Sequence, residues 1–212
     1  MGTVALPAAA TAPAAATETV AFTVTVEGVQ RTVVTAVRRT VDDLGCSVIR
    51  TDEGRRTLTF ATRRPARVLV SVPGGSASAR VPVGVRASGV ATLRRTVSGE
   101  APECDLAPQT TDTACGPASL AGTAVVRLPA PGTVVLRGSL ARPGDAARCA
   151  SSAGRLQPFL IPSQGRFPAR LLTDRSATRI NLRGQARFTD TLASGARRVT
   201  TVRWTVVLRR VS

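Results

Sequence analysis

The sequence contains no histidine, lysine or tyrosine, and only one of its 212 residues is tryptophan. Without imidazole the chain cannot form a Ser-His-Asp or Cys-His catalytic arrangement or any histidine-containing metal site. Without lysine and tyrosine, a Ser-Lys dyad and a tyrosine nucleophile are excluded as well. Catalysis that depends on histidine, lysine or tyrosine side chains is therefore excluded.

Long apolar runs are also absent, since no stretch reaches the ~18 to 20 consecutive apolar residues that a membrane-spanning helix needs. The start of the chain is uncharged and rich in Ala, Thr and Pro, and its alanine triplets resemble small-residue cleavage sites. It lacks the positive n-region and the strong apolar h-region of a complete signal peptide. We interpret residues 1–18 as a disordered tail, either a signal-peptide remnant or an Ala/Pro linker.

The four cysteines, Cys46, Cys104, Cys115 and Cys149, have no C-x-x-C spacing and no histidine to complete a zinc site. Two disulfides are expected, which places the protein in an oxidising compartment, secreted or in the cell envelope. Spacing favours pairing Cys104 with Cys115, and Cys46 with Cys149 then follows by elimination. Four cysteines allow three connectivities, so the others remain open. Four free cytosolic thiols are the alternative.

The basic residues are all arginine, and the 29 arginines against 13 acidic residues give a net charge of +16. Arginine codons can be GC-rich whereas lysine codons are AT-rich, so this bias suggests a high-GC bacterial genome. Residues 1–112 carry 13 arginines and 10 acids, net +3, and residues 113–212 carry 16 arginines and 3 acids, net +13. The excess positive charge therefore belongs to the second half of the chain.

Alternating apolar and polar residues predict short β-strands along most of the chain. The first begins at Thr19 and the last, starting at Arg197, places Trp204 on an apolar face. Pro131-Gly132 predicts a type II turn and a hairpin, because proline presets the first φ and glycine supplies the positive one. Only residues 145–153 have a helical pattern. Residues 100–120 are predicted to be one long irregular segment. The strands predicted from these patterns are the following: 19–27, 32–41, 56–62, 67–72, 80–87, 90–98, 121–128, 133–140, 179–183, 185–191 and 197–211.

Many short strands with frequent turns and no alternating helices predict an all-β protein, an antiparallel β-sandwich of the immunoglobulin-like or jelly-roll-like type. Residues 19–212 are expected to form this single domain. Two β subdomains that divide near residues 100–120 are the alternative.

Paired carboxylates are the remaining catalytic option, since a glycosidase uses two. The candidates lie in turn-like segments, where acidic residues are ordinary solvated groups that cap backbone N–H groups. Asp105 and Asp112 are weak candidates to share a calcium ion, but no D-x-[DN]-x-[DN]-G loop is present. We therefore expect no enzyme activity, metal or cofactor. The carboxylate candidates are Asp42 with Asp43, Asp52 with Glu53, and Glu100 with Glu103 and Asp105.

The arginines predicted to lie within strands of the second half form the candidate anion-binding site. Several could share the outer face of one sheet, and arginine suits bidentate phosphate contacts. An anionic envelope polymer or lipid surface fits better than nucleic acid, because stacking aromatics are scarce. The ordinary interpretation is that these arginines are outward-facing and solubilising, in an envelope protein with a structural or interaction role. The six residues are Arg127, Arg137, Arg183, Arg187, Arg203 and Arg209.

Overall fold

The structure is a computed structural model that describes residues 18–72, 79–99, 104, 106–129, 132–140 and 160–211. In this part of the chain it contains nine strands, one short 3-10 helix at Ala169–Leu172 and no α-helix. No helix there is long and apolar enough to cross a membrane. The strands are β1 (Glu18–Val41), β2 (Ser47–Thr62), β3 (Ala66–Val72), β4 (Ala79–Gly99), β5 (Gln109–Leu128), β6 (Thr133–Leu140), β7 (Leu160–Arg166), β8 (Arg179–Thr191) and β9 (Arg197–Arg210).

The strands form one antiparallel sheet that closes on itself. Its order is β2-β4-β5-β6-β7-β8-β9-β1-β3, and a further pairing joins β2 to β1. The long strand β1 makes this closure possible, because β9 lies along one edge while β3 and β2 share the other. Residues 18–24 of β1 pair with β3, and residues 27–41 pair with β2. Eight strands therefore form a continuous ring, and β3 extends the wall beside β1.

The all-β, antiparallel part of the prediction is confirmed, but the sandwich is corrected to a barrel. A sandwich needs two sheets packed face to face, whereas here a single sheet curls until its first and last strands meet. Alternation of apolar and polar residues is the same for a strand in either architecture. The sequence pattern therefore predicted that most of these segments are strands, although it divided β1, β4 and β8 into two strands each, and it could not reveal how they close.

The barrel interior is mainly apolar, although six polar or charged residues of the described ranges are buried as well: Gln30, Thr32, Asp52, Arg56, Ser163 and Thr200. On β1 the buried residues alternate with partly exposed ones from Val20 to Val26, as the sequence pattern predicts. Phe22 and Phe60 have no exposed surface, and Trp204 is only 3% exposed. These side chains belong to one continuous core that includes residues from seven of the ring strands. These three aromatic residues therefore fill the barrel, whereas Phe188 of β8 is 47% exposed.

Two parts of the prediction need correction, one is confirmed, and two lie outside the described residues. The segment predicted to be irregular contains the first half of β5, which starts at Gln109. Strand β7 (Leu160–Arg166) was not predicted, because Pro162 and Gly165 interrupt its alternation. The hairpin at Gly132 is confirmed by the β5–β6 pairing and by a φ of 66° at this glycine. Residues 1–17 and the helix predicted at 145–153 lie outside the described ranges.

One disulfide joins Cys46 to Cys104, with a Cα–Cα distance of 5.6 Å. The predicted pairings of Cys104 with Cys115 and of Cys46 with Cys149 are therefore both wrong. The register between β2 and β4 explains the result, since it places Val48 beside Gly99 and so brings the segment after β4 next to the turn before β2. Cys115 is also disulfide-bonded. A disulfide supports the extracytoplasmic location expected from the sequence.

Candidate anion-binding groove

The single tryptophan lies inside the barrel between glycines on both neighbouring strands. Trp204 of β9 pairs with Gly184 of β8 and with Gly28 of β1. A Cβ atom on Gly184 would overlap the indole ring. Phe60 of β2 pairs with Gly28 and covers it in the same way. Aromatic residues and glycines thus alternate on neighbouring strands at one level of the barrel. Because glycine has no side chain, the backbone of its strand can approach the aromatic rings closely.

At this same level a shallow groove crosses the outer surface of β8, β9, β1 and β2. The glycine and aromatic residues face inwards here, so the residues between them face outwards. We call this surface the arginine groove. Its charged lining residues are Glu27, Arg31, Arg183, Arg187 and Arg203. The outward-facing uncharged residues that line it are Val29, Thr59, Ala61, Gln185, Thr201 and Thr205.

Arg203 lies at the centre of the arginine groove. It pairs with Gln185 of β8, so Arg183 and Arg187, each two residues from Gln185, are its diagonal neighbours. Arg31 of β1 is a diagonal neighbour on the other side. Diagonal positions on antiparallel strands are ~7–8 Å apart, within reach of long side chains. The four guanidinium groups can therefore contact a single anionic chain.

These four arginines are exposed, and no carboxylate of the described residues forms an ion pair with any of them. Glu27 is the one acidic residue in the lining, so the groove has a formal charge of +3 from four arginines and one glutamate. Concentrated charge of one sign along a concave surface raises the local concentration of anions. The groove therefore has the electrostatic character of an anion-binding surface.

Three of the six predicted anion-binding residues, Arg183, Arg187 and Arg203, converge on the groove. The other three do not. Arg209 lies further along β9, where it pairs with Arg179, and the remaining two, Arg127 of β5 and Arg137 of β6, lie on another part of the barrel wall.

Sequence reasoning missed Arg31, because it belongs to the less basic half of the chain. The prediction also left it between two strands, 19–27 and 32–41, whereas the structure places it within β1. Its proximity to Arg203 depends on the pairing of β1 with β9, which joins residues more than 160 positions apart. Membership of the groove is therefore a property of the register and not of the local sequence.

The best-buried carboxylate of the described residues is Asp52, which lies at one end of the barrel, away from the groove lining. Its side chain is 1% exposed and accepts hydrogen bonds from Nε of Arg50 at 3.0 Å and Nε of Arg95 at 2.8 Å. Burial alone would raise the pKa of Asp52, but the hydrogen bonds and positive charges of Arg95 and Arg50 outweigh it and hold the pKa below its ordinary value. Asp52 is thus a structural anion.

The other carboxylate candidates do not form a described catalytic pair or metal site. Asp52 and Glu53 are adjacent on β2 and so face opposite sides of the sheet. Asp42 accepts hydrogen bonds from the backbone N–H groups of Leu44 and Cys46, as a turn residue does. Asp112 binds Arg94 through two hydrogen bonds. No group of three metal-ligating residues occurs in the described ranges, and Glu100, Glu103 and Asp105 lie outside them.

No protein-family model matches the sequence, and no curated protein matches it. Among solved structures, the chain is similar to Ail, the attachment invasion locus protein of Yersinia pestis, with 8% identity over 91% of this chain and 99% of that chain and a TM-score of 0.20. It is also similar to the N-terminal β-barrel domain of Pseudomonas aeruginosa OprF, with 6% identity over 87% and 96% and a TM-score of 0.19. At such low TM-scores neither likeness supports an inference about this chain.

Proposed function

We propose that this protein is a non-enzymatic, extracytoplasmic barrel that binds an anionic polymer of the cell envelope through the arginine groove. The observation that carries the proposal is the convergence of Arg31, Arg183, Arg187 and Arg203 on one concave surface. A structural or interaction role without anion binding is the alternative. The groove favours binding, because arginines that only solubilise the protein need not converge, whereas these four converge in a depression that also contains the hydroxyl groups of Thr59, Thr201 and Thr205.

The distribution of charge favours a barrel whose outer surface is in contact with water and not with lipid. A membrane-embedded barrel presents an apolar band to lipid, and an arginine facing lipid at the bilayer midplane costs about 2 to 4 kcal/mol. Here Arg31 lies near the middle of β1 and Arg203 in the middle of β9, and both face outwards. The continuous apolar cluster lies inside the barrel instead, together with a smaller set of buried polar residues that includes Gln30, Asp52 and Arg56. We therefore favour a secreted or surface-associated protein over one embedded in the bilayer.

The proposal of a non-enzymatic role is supported by the acidic residues of the groove. Hydrolysis by a pair of carboxylates needs two such groups flanking the bond that breaks. The groove lining contains only one acidic residue, Glu27. Asp52, which is buried, is held by two arginines at another level of the barrel. The chemistry that remains in the groove is hydrogen bonding and charge attraction by guanidinium groups.

The test compares two variants with equal loss of charge. The groove variant is Arg183→Gln/Arg187→Gln/Arg203→Gln. The matched control changes three other exposed strand arginines, Arg80, Arg127 and Arg137, to glutamine. Retention on heparin, teichoic-acid and anionic-lipid supports is measured from low to high salt. Thermal unfolding of both variants verifies that they fold.

We expect wild-type protein and the control variant to be retained on a polymer support at low salt, and the groove variant to elute early. If four guanidinium contacts form, raising the salt from 50 to 200 mM should weaken wild-type binding on the order of 50-fold. Glu27→Gln should strengthen binding, because it removes the only acid in the lining. Absence of retention at low salt, or equal loss in both triple variants, contradicts the proposal. Retention on lipid alone would identify a membrane surface instead.

A further inference from the structure

The arginine groove continues beyond β2 into a second depression on the outer surface. This depression is lined by Thr59, Phe60 and Ala61, which also line the groove, and then by residues 62–64 with Arg86 and Ser88 of β4. The register explains the continuity, since Ala61 of β2 pairs with Glu27 on one side and with Arg86 on the other. One concave path therefore runs across five strands, from β8 to β4.

The extension adds three arginines to the path, Arg63, Arg64 and Arg86. All three are exposed, and none of them forms an ion pair with a carboxylate of the described residues. The backbone N–H of Arg63 donates a hydrogen bond to the carbonyl of Gly84 at 2.9 Å, which fixes this arginine beside β4. With the groove, the path has seven arginines and one glutamate, a formal charge of +6.

The residues that lie between the arginines of the path indicate which class of anionic polymer it can bind. Thr59, Ser88, Thr201 and Thr205 present hydroxyl groups between the arginines. The two aromatic residues at this level, Phe60 and Trp204, face the core and are 0% and 3% exposed. The path therefore offers donors for anionic oxygens but no exposed ring on which a nucleobase could stack.

We infer that the path from β8 to β4 binds a linear chain of repeating phosphates that crosses the strands. Strands in a sheet are ~4.8 Å apart, so the four intervals from β8 to β4 give a path of ~19 Å along the curved wall. A flexible phosphate chain can follow this curvature and contact guanidinium groups at both ends. The inference rests on the proposed function and specifies its ligand, either inorganic polyphosphate or a phosphodiester polymer of the envelope.

The test uses chain length and a far-end variant, Arg64→Gln/Arg86→Gln, beside the triple groove variant. Binding of triphosphate, long inorganic polyphosphate and a glycerol-phosphate polymer is measured at several salt concentrations, and thermal unfolding verifies the fold. For long chains the far-end variant should weaken binding about fivefold and reduce the salt slope by about two. Triphosphate affinity should be unchanged in this variant but reduced in the groove variant.

Failure of this inference is distinguishable from failure of the proposed function. If the wild type binds long chains no better than triphosphate, or if the far-end variant binds long chains as the wild type does, the extended path is refuted while groove binding stands. If no polyanion binds at all, the proposed function fails. Binding of polyphosphate but not of the glycerol-phosphate polymer, or the reverse, identifies the source. Tighter binding of single-stranded DNA with the same number of phosphates would overturn the inference, because it would require base recognition.

Discussion

Replacing Asp52 by asparagine should destabilise the barrel strongly, although the change removes only one charge. The carboxylate is buried and is hydrogen-bonded to two arginines whose side chains are 33% and 37% exposed. Removing one member of a buried ion pair costs about 3 to 5 kcal/mol. Because both guanidinium groups can still reach water, we expect the lower end, about 3 kcal/mol. For a chain of this size that corresponds to a fall in Tm of roughly 6 to 12 °C.

The same carboxylate predicts a pH dependence. The pKa of Asp52 in the folded state is below its ordinary value, so its contribution to stability is fully present above the unfolded pKa of about 3.9 and is lost as the pH falls through the folded pKa. Thermal unfolding of wild type and Asp52→Asn should differ at pH 7, and the gap should narrow below about pH 4. The control is Asp112→Asn, which breaks an exposed bridge to Arg94 and should change Tm little. Equal shifts in both variants, or a gap that persists at pH 2, would refute the reasoning.

Two further changes test the barrel itself. Gly184→Ala should lower the free energy of unfolding by about 1 to 3 kcal/mol, because the added Cβ would overlap the ring of Trp204. Gly84→Ala is the matched control, since a Cβ there has no heavy atom within 4 Å. Equal urea midpoints for the two variants would contradict the packing described. Replacing both Cys46 and Cys104 by serine should lower the free energy of unfolding by about 4 kcal/mol in the chain-entropy model, given their separation of 58 residues. Non-reducing peptide mapping that does not recover Cys46 and Cys104 in one linked pair would show that the pairing is different.

The local features of the fold were readable from the sequence. Alternation predicted the last strand closely and detected most of β1 as two segments, 19–27 and 32–41, because the side-chain period of a strand is two residues and the barrel has one apolar face. The same alternation placed Trp204 and Phe22 in the core. Strand β7 was not predicted, because Pro162 and Gly165 disturb the alternation of apolar and polar residues. Gly165 faces the tryptophan ring, where a side chain would not fit well.

Only part of the candidate anion-binding site could be predicted from the sequence. Alternation shows that Arg183, Arg187 and Arg203 share the outer face of their strands, and the charge count pointed to the second half of the chain. The local sequence does not show that these three arginines lie on the same surface as Arg31 or Arg86, because the register between distant strands depends on closure of the whole sheet.

The sequence by itself determined the class of the protein: strands from a two-residue period, an oxidising compartment from cysteines, and an arginine-rich surface without imidazole chemistry. Tertiary structure alone decided that the sheet closes into a barrel, that Cys46 pairs with Cys104, and that four arginines of β1, β8 and β9 line one groove, which continues towards Arg63, Arg64 and Arg86. The physical reason is the same in each case. Strand formation depends on neighbours in the chain, whereas closure, disulfide pairing and groove shape depend on contacts between residues far apart in sequence, such as the pairing of Gly28 with Trp204 and of Val48 with Gly99.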